Sequence, residues 1–434
     1  MSAHSTNLTY ESRAENTVGR TCWYVLQVLP VTLTVVLGPF ISVAYHLTQP
    51  QRAGAARGGF SVAQVARGLL CMLMFLSMLL SKELNLLKHR LVRPLLFLAA
   101  YAVLTSLASP YRYEHIVFAV KLTFIVLVFA STFRLAKERI CTERWLTTCA
   151  WVVVLIMAMC IAIGLATGGT LEYKSRYATA GFTRNTIAAS SLILSSLPVF
   201  IRLIPNSISG MAATVVLFTS LFFTMRRTSL IAGAAATCSS ALIYLISCWR
   251  RILWRRILVL IGVFILLAGV GLSTAAGADL IERFRGLNPF DGGTGSGRYV
   301  FWRISLEHIM HRPMHVQLLG EGMGSLNDVI KQEYGRWISA HNDWLNFASA
   351  FGLCGVIGIS WWFFELARLT WSFRCRQDGL FQGACAALVM LGLFSIGTGG
   401  FFKPSWALTY AALGFWAGRV TYEGQQHHAR PINP

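Results

Sequence analysis

The chain has 434 residues, 55% of them hydrophobic and only 13% charged, with a mean hydropathy of +0.56. A water-soluble domain carries about 25% charged residues, so this composition excludes a soluble globular protein. The formal charge of +20, from 38 Lys+Arg against 18 Asp+Glu, is scattered between apolar runs and not gathered in one domain, which argues against nucleic acid as a partner.

Apolar runs of spanning length recur along the whole sequence, and period-two alternation is absent, so the expected fold class is all-α. The polar first twenty residues do not read as a cleaved leader, and the first span is expected to stay as a signal anchor. About twelve spanning helices are predicted, at 22–46, 60–80, 91–108, 115–133, 145–167, 186–204, 207–225, 229–247, 252–275, 343–367, 379–398 and 404–421. The organisation implied is 1–275 as helices 1 to 9 with short loops, 276–342 as one long loop subdomain, and 343–434 as helices 10 to 12 with a tail. With both termini on the cytoplasmic side, inner segments carry 20 Lys and Arg and the short outer loops 9, so that orientation is favoured and the long loop becomes periplasmic. Within that loop a glycine-rich stretch (286–297) precedes a helical one (299–310), which Pro313 ends.

The cations left on the outer side are the useful anomaly. Arg226 and Arg227 sit in a tight outer hairpin. Arg67 and Lys121 lie inside spans 2 and 4, in the outer half of the bilayer. Arg176 and Arg184 follow span 5, and Arg298 follows the glycines of the long loop. Arg67 taken alone is explained by snorkelling. Seven cations from five elements on one face point to an anion site, because an intramembrane cation is costly unless paired or hydrated. Arginine's planar fork suits a lipid-linked phosphate. No acidic residue falls at a bilayer midplane, which argues against an ion-coupled carrier.

No phosphate-binding glycine loop, dinucleotide fingerprint, HExxH or Asp-x-Asp is present. Glu307, His308, His311 and His315 are interrupted by Pro313, so no metal is expected there, and no cofactor is expected anywhere. The ten cysteines, Cys22, Cys71, Cys141, Cys149, Cys160, Cys238, Cys248, Cys354, Cys375 and Cys385, fall in predicted spans or inner loops and form no disulfide framework.

The segment HNDWLNFASAFGLCGVIG (341–358) pairs His-Asn with a following Gly-x-x-Gly and resembles the signature of the O-antigen ligase and polymerase superfamily. TMRRTSLIAGA (224–234) resembles that family's arginine hairpin, with arginine where the family has serine. GSGRYVFWRISL (295–306) followed by LLGEGMGS (318–325) resembles its R-x-x-x-W…G-x-G pattern. RYATAGFTRNTIAASSL (176–192) resembles its R-L-x-G-x-F-x-N-P-N stretch, without the proline and first asparagine. Spans 1 to 4 carry no such motif.

The resemblance implies an inner-membrane glycosyltransferase that works at the periplasmic face without metal and inverts the anomeric centre. The donor would be a glycan on undecaprenyl diphosphate, the acceptor lipid A–core, with membrane lipids around both. His341 matches the family histidine, and Arg298 with one of Arg226 and Arg227 matches its arginines. Chemically, histidine is the commonest general base and arginines stabilise a departing diphosphate. Two alternatives remain open: an O-antigen polymerase of the same superfamily, and a flippase or permease that binds a lipid diphosphate without reaction. At the start of span 10, Asn342 and Asp343 suit a helix cap. Gly352, Gly355 and Gly358 suit a close helix-packing seam, and Trp302 and Trp344 suit interfacial anchors.

Overall fold

The computed structural model describes residues 27–36, 62–80, 84–166, 186–204, 207–248, 272–285, 298–335, 339–374 and 379–429, with a few isolated positions besides. Among the described residues every regular element is helical. In chain order these are α1 (Gln27–Val36), α2 (Val62–Leu80), α3 (Arg93–Ser106), α4 (Arg112–Lys137), α5 (Glu143–Ala166), α6 (Thr186–Ser195), α7 (Leu197–Leu203), α8 (Ile208–Phe223) and α9 (Arg227–Cys248). There follow α10 (Ala275–Arg285), α11 (Arg298–Met310), α12 (Met314–Leu319), α13 (Ser325–Tyr334), α14 (Asp343–Ser372), α15 (Leu380–Gly397) and α16 (Ala407–Ala429).

By length and apolarity 4 helices, α4, α5, α14 and α15, suffice to cross a membrane, and α1, α2, α3, α8 and the α6–α7 pair contribute shorter apolar segments. The chain is a multi-pass membrane protein. The predicted span 252–275 and the flanks of the first span lie almost wholly outside the described residues. The predicted span 186–204 is two helices. Pro198 has no N–H for the ladder, and Ser195 and Ser196 turn their hydroxyls back onto the carbonyls of Leu192 and Ile193, each at 2.7 Å.

The core is built on α4, the most buried of the four long helices. It packs against α2 and α3 on one side and along α16 on the other, while α15 packs on α7, α9 and α14. The α4–α16 seam depends on two glycines four residues apart. A side chain at Gly414 would strike the Phe129 carbonyl and Thr132 Oγ1, and one at Gly418 the Phe133 carbonyl. Small residues at this spacing let two helix backbones approach closely, the usual source of tight packing where lipid supplies no hydrophobic drive.

Arginines at the other end of the bundle are paired. Glu143 meets Arg202 and Arg419 (2.9 Å), Glu423 meets Arg419 (2.9 Å) and Arg376, and Glu138 lies 3.6 Å from Arg134. The pairs of Glu143 and Glu423 join α5, α7 and α16 at the face assigned above to the cytoplasm, while the Arg134 pair lies within α4 and its C-terminal end.

The seam generates a prediction. Gly418→Leu is expected to destabilise the bundle by about 1–3 kcal/mol through overpacking. It should lower the melting temperature of the purified protein in detergent.

Candidate functional site

Three helix starts meet at the top of the bundle. The first is the hairpin between α8 and α9. Met225 adopts a left-handed conformation (φ 49°), which turns the chain in the three residues 224–226, so that Arg226 immediately precedes α9 and Arg227 is its first residue. The second is α11, whose first residue is Arg298. The third is α14, which His341 precedes with a left-handed φ of 52°. A helix N-terminus already carries partial positive charge and favours anions. Placing arginines there works against helix stability and concentrates positive potential.

Arg298 is the centre of the arrangement. Its Nη1 donates to Thr228 Oγ1 (3.0 Å) in the first turn of α9 and to the carbonyl of Gly397 at the end of α15. Gly397 is small for a reason, since a side chain there would run into Thr228 Cγ2 at 2.7 Å. Burial, and next the charge of Arg227, push the Arg298 pKa down, although a guanidinium stays protonated at any ordinary pH.

His341 lies within the field of these cations. Burial pushes its imidazole pKa down to about 4, helped by Arg298, Lys403 and Arg226, while a hydrogen bond to the Thr398 carbonyl pulls the other way. A ring N–H that donates to a carbonyl leaves the second ring nitrogen as an acceptor.

The backbone on both sides of His341 is held. Trp302 of α11 donates Nε1–H to the Ala340 carbonyl (2.9 Å), and Asn342 caps α14 by accepting the Leu345 N–H (3.2 Å). Asp343 makes the strongest tie: its buried carboxylate accepts the Gly400 N–H at 2.6 Å and the Phe401 N–H at 3.1 Å. Gly399 (φ 72°) and Gly400 (φ 85°) let the chain wrap this carboxylate. Folded over Gly400, the Lys403 side chain is thereby delivered to the site.

A cavity of about 290 Å³ opens beside the histidine. His341, Asp343, Lys121 of α4 and Lys403 line it, with Ser325, Asn327, Ser339 and Asn346 as polar neighbours and Phe118, Phe347 and Phe402 as its apolar floor. One wall is the loop Gly320-Glu-Gly322-Met-Gly324, whose three glycines all take positive φ (86°, 128° and 104°). Room is short around it: a side chain at Gly322 would collide with Ser109, Tyr111 and His115. The loop is pinned from α3 and α4. Tyr101 Oη donates to the Leu319 carbonyl (3.0 Å), Tyr111 Oη to Asp328 Oδ2 (2.6 Å), and the Met323 N–H donates to His115 Nε2 (3.0 Å).

Of the residues singled out in the sequence, His341, Arg298, Arg226 and Arg227 come together, and Lys121 lines the adjoining cavity. Arg67 lies on α2, and its side chain falls outside the described residues, as do Arg176 and Arg184 entirely. The glycine seam is corrected. Gly352 is a kink inside α14 (φ 59°, ψ −146°) that receives the backbone of Gln317 and Leu318, whereas Gly358 packs on Leu98 of α3. Trp302 and Trp344 are tied into the structure, the latter through Nε1 to Ser395 Oγ (3.1 Å).

Sequence reasoning missed Lys403, visible only as a lone cation between two apolar runs, and the Asp343 clamp that presents it. It also missed Arg312. That buried guanidinium binds Glu321, the Ser349 carbonyl (3.2 Å) and Ser349 Oγ (3.0 Å), tying the glycine loop to α14. No short motif announces such a long-range contact.

Residues 212–360 match the family model described as O-antigen ligase. The matched stretch contains both hairpin arginines, Arg298 and His341, and omits Lys121 and Lys403. The chain is similar to O-antigen ligases over that segment, as the motifs led one to expect. No curated protein matches the chain.

The clamp yields a prediction. Asp343→Ala leaves the half-buried Gly400 N–H and the buried Phe401 N–H without their acceptor, the latter costing roughly 1–3 kcal/mol. The variant is expected to melt lower and to be cut by protease within 398–403, where the wild-type chain resists.

Proposed function

We propose that this protein is a glycosyltransferase of the O-antigen ligase type. It moves a glycan from undecaprenyl diphosphate to lipid A–core at the periplasmic face of the inner membrane. In this reading the chain has about twelve spans, both termini are cytoplasmic, and 276–342 is the periplasmic loop. The observation that carries the proposal is the neutral, half-buried imidazole of His341 set among Arg298, Lys403 and Arg226. The family match over the segment bearing three of these four groups supports it.

The chemistry needs two things. The acceptor hydroxyl must lose its proton as its oxygen attacks the anomeric carbon, and the bond from that carbon to the diphosphate oxygen must break. The free ring nitrogen of His341 takes the proton. Arg298 and the Arg226/Arg227 pair hold the diphosphate, and the negative charge that grows on the leaving oxygen falls among fixed cations. Lys121 and Lys403 face the adjoining cavity and bind the same anion or the first sugar beside it. Arg67, Arg176 and Arg184 belong to the same outer cation set in this proposal. No nucleotide enters, because the diphosphate is already an activated leaving group. Attack from the side opposite the diphosphate inverts the anomeric centre in one displacement.

The low pKa of His341 has a mechanistic use. A pKa near 4 makes a weak base. Burial is the largest cause of that depression and the neighbouring cations add to it; a bound diphosphate neutralises the cations, so it raises the imidazole part of the way back. The base strengthens when there is something to transfer.

The test is transfer from undecaprenyl-diphosphate glycan to core lipid by purified protein in EDTA. His341→Ala is expected to lower turnover by about 10²–10⁴-fold, and wild-type turnover in that variant would overturn the base assignment. Chain extension without core lipid would mark a polymerase instead, and translocation of donor with no glycan transfer would mark a flippase. Arg298→Lys keeps the charge but loses the planar guanidinium whose Nη1 bonds both Thr228 and Gly397, and is expected to cut kcat at least about tenfold.

A pH profile provides a further check. Only neutral His341 accepts a proton, so activity is lost as pH falls through its pKa. The acid limb of kcat/KM, which reports the free protein, is expected near pH 4, and that of kcat at higher pH. Coincident limbs would refute the coupling between donor and base.

A further inference from the structure

The long loop carries an apolar face that the site does not use. Met310, Met314 and Leu319 are 66%, 70% and 55% exposed, Leu306 and Leu318 are exposed beside them, and α12 has no buried residue at all. On α11, at 100° per residue, the exposed side divides. Tyr299, Leu306 and Met310 fall along one edge, while Arg303 and Glu307, ion-paired at 3.7 Å, fall along the other. That division is the pattern of a helix lying between two media.

The height of this face relative to the spanning helices can be read from α14. Leu353, Ile357, Trp361 and Phe364 form an exposed stripe, and Trp371 is exposed further along. From Leu353 to Phe364 the helix rises about 17 Å, inside the roughly 30 Å of a hydrocarbon core, and the exposed Arg368 follows one turn on. Leu353 lies about 22 Å along the helix from Arg368, in the outer quarter of that core. α12 sits at this level, for Gln317 and Leu318 fill the notch at Gly352 and the Leu319 carbonyl is bonded by Tyr101 of α3. Leu104 of α3 and Leu107 just past its end, one turn and two beyond Tyr101, are exposed as well.

We infer that residues 306–319 lie on the outer surface of the bilayer, with Leu306, Met310, Met314, Leu318 and Leu319 immersed at the boundary between headgroups and acyl chains. The occupant of this face is lipid, because the face is continuous with the lipid-facing surface of α3 and α14. The segment fixes how high the loop rides, and with it the level of Arg298 at the start of α11. This inference stands independently of the reaction proposed above.

The test uses the wild-type protein in vesicles of phosphatidylethanolamine and phosphatidylglycerol. Oxidation of individual methionines by dilute hydrogen peroxide is read by peptide mass. Met159 on the spanning helix α5 is 61% exposed and serves as the internal standard for lipid cover. Met310 and Met314, immersed about 5–10 Å into the headgroup and acyl boundary, are expected to oxidise within about threefold of Met159. Rates about tenfold or more above Met159 would overturn the inference. So would protection that vanishes when protein is diluted to one copy per vesicle, because a second copy would then be the cover. An independent reading comes from nitroxide attached at Leu319→Cys and, as a polar reference on α13, Glu333→Cys. Oxygen should relax the first more than a water-soluble nickel chelate does, with the reverse order for the second. The same order at both positions would also overturn it.

Discussion

The structure turns on one buried guanidinium. Arg298 is satisfied by a hydroxyl and a backbone carbonyl, and among the described residues it makes no ion pair with a carboxylate. Burying a cation against neutral groups is expensive, and the cost is tolerated where the charge serves a ligand. The same two contacts staple the start of α11 to the ends of α9 and α15, so the element that carries the charge is also the one that roofs the bundle. Arg298 thus fixes both the electrostatics and the architecture of its end of the bundle.

The contrast with the other end of the molecule sharpens this. There the arginines meet carboxylates: Arg202 and Arg419 share Glu143, and Arg376 and Arg419 share Glu423. Such networks hold helix ends together and leave little field for a ligand. At the end that holds the site, the carboxylate lining the cavity, Asp343, is occupied by the N–H groups of Gly400 and Phe401. It shapes the loop that brings Lys403 in, and so adds a cation to the site while spending its own charge on backbone.

How much of this could be read from the sequence follows from the range of the interactions concerned. Apolar runs announce helices because hydrocarbon leaves the backbone no other partner, and α4, α5, α14 and α15 fall where those runs predict them. The break between α6 and α7 was missed, because Pro198 and the back-bonding serines sit inside an unbroken apolar run. His341 was singled out by its likeness to a family histidine, and Arg298 and the hairpin arginines by that likeness together with their place among the predicted outer cations. Lys403, Arg312 and the kink at Gly352 were not. Each depends on a partner far along the chain, such as the Gly352 notch that receives residues 317 and 318, and no local pattern encodes that.

These observations bear on why the glycine loop is needed at all. The cavity wall between Gly320 and Gly324 must pass close to α14, α3 and α4 at once, and only residues without a side chain fit at Gly320 and Gly322. Its tethers come from all sides: Arg312 through Glu321 and Ser349, Tyr101 at Leu319, His115 at Met323 and Tyr111 at Asp328. A wall tied to three membrane helices holds its shape when a ligand enters, which is what a site needs if it is to aim a fixed base at one hydroxyl. The membrane helices therefore act as the rigid frame of a pocket whose chemistry is carried almost entirely by their ends and by the loop between them.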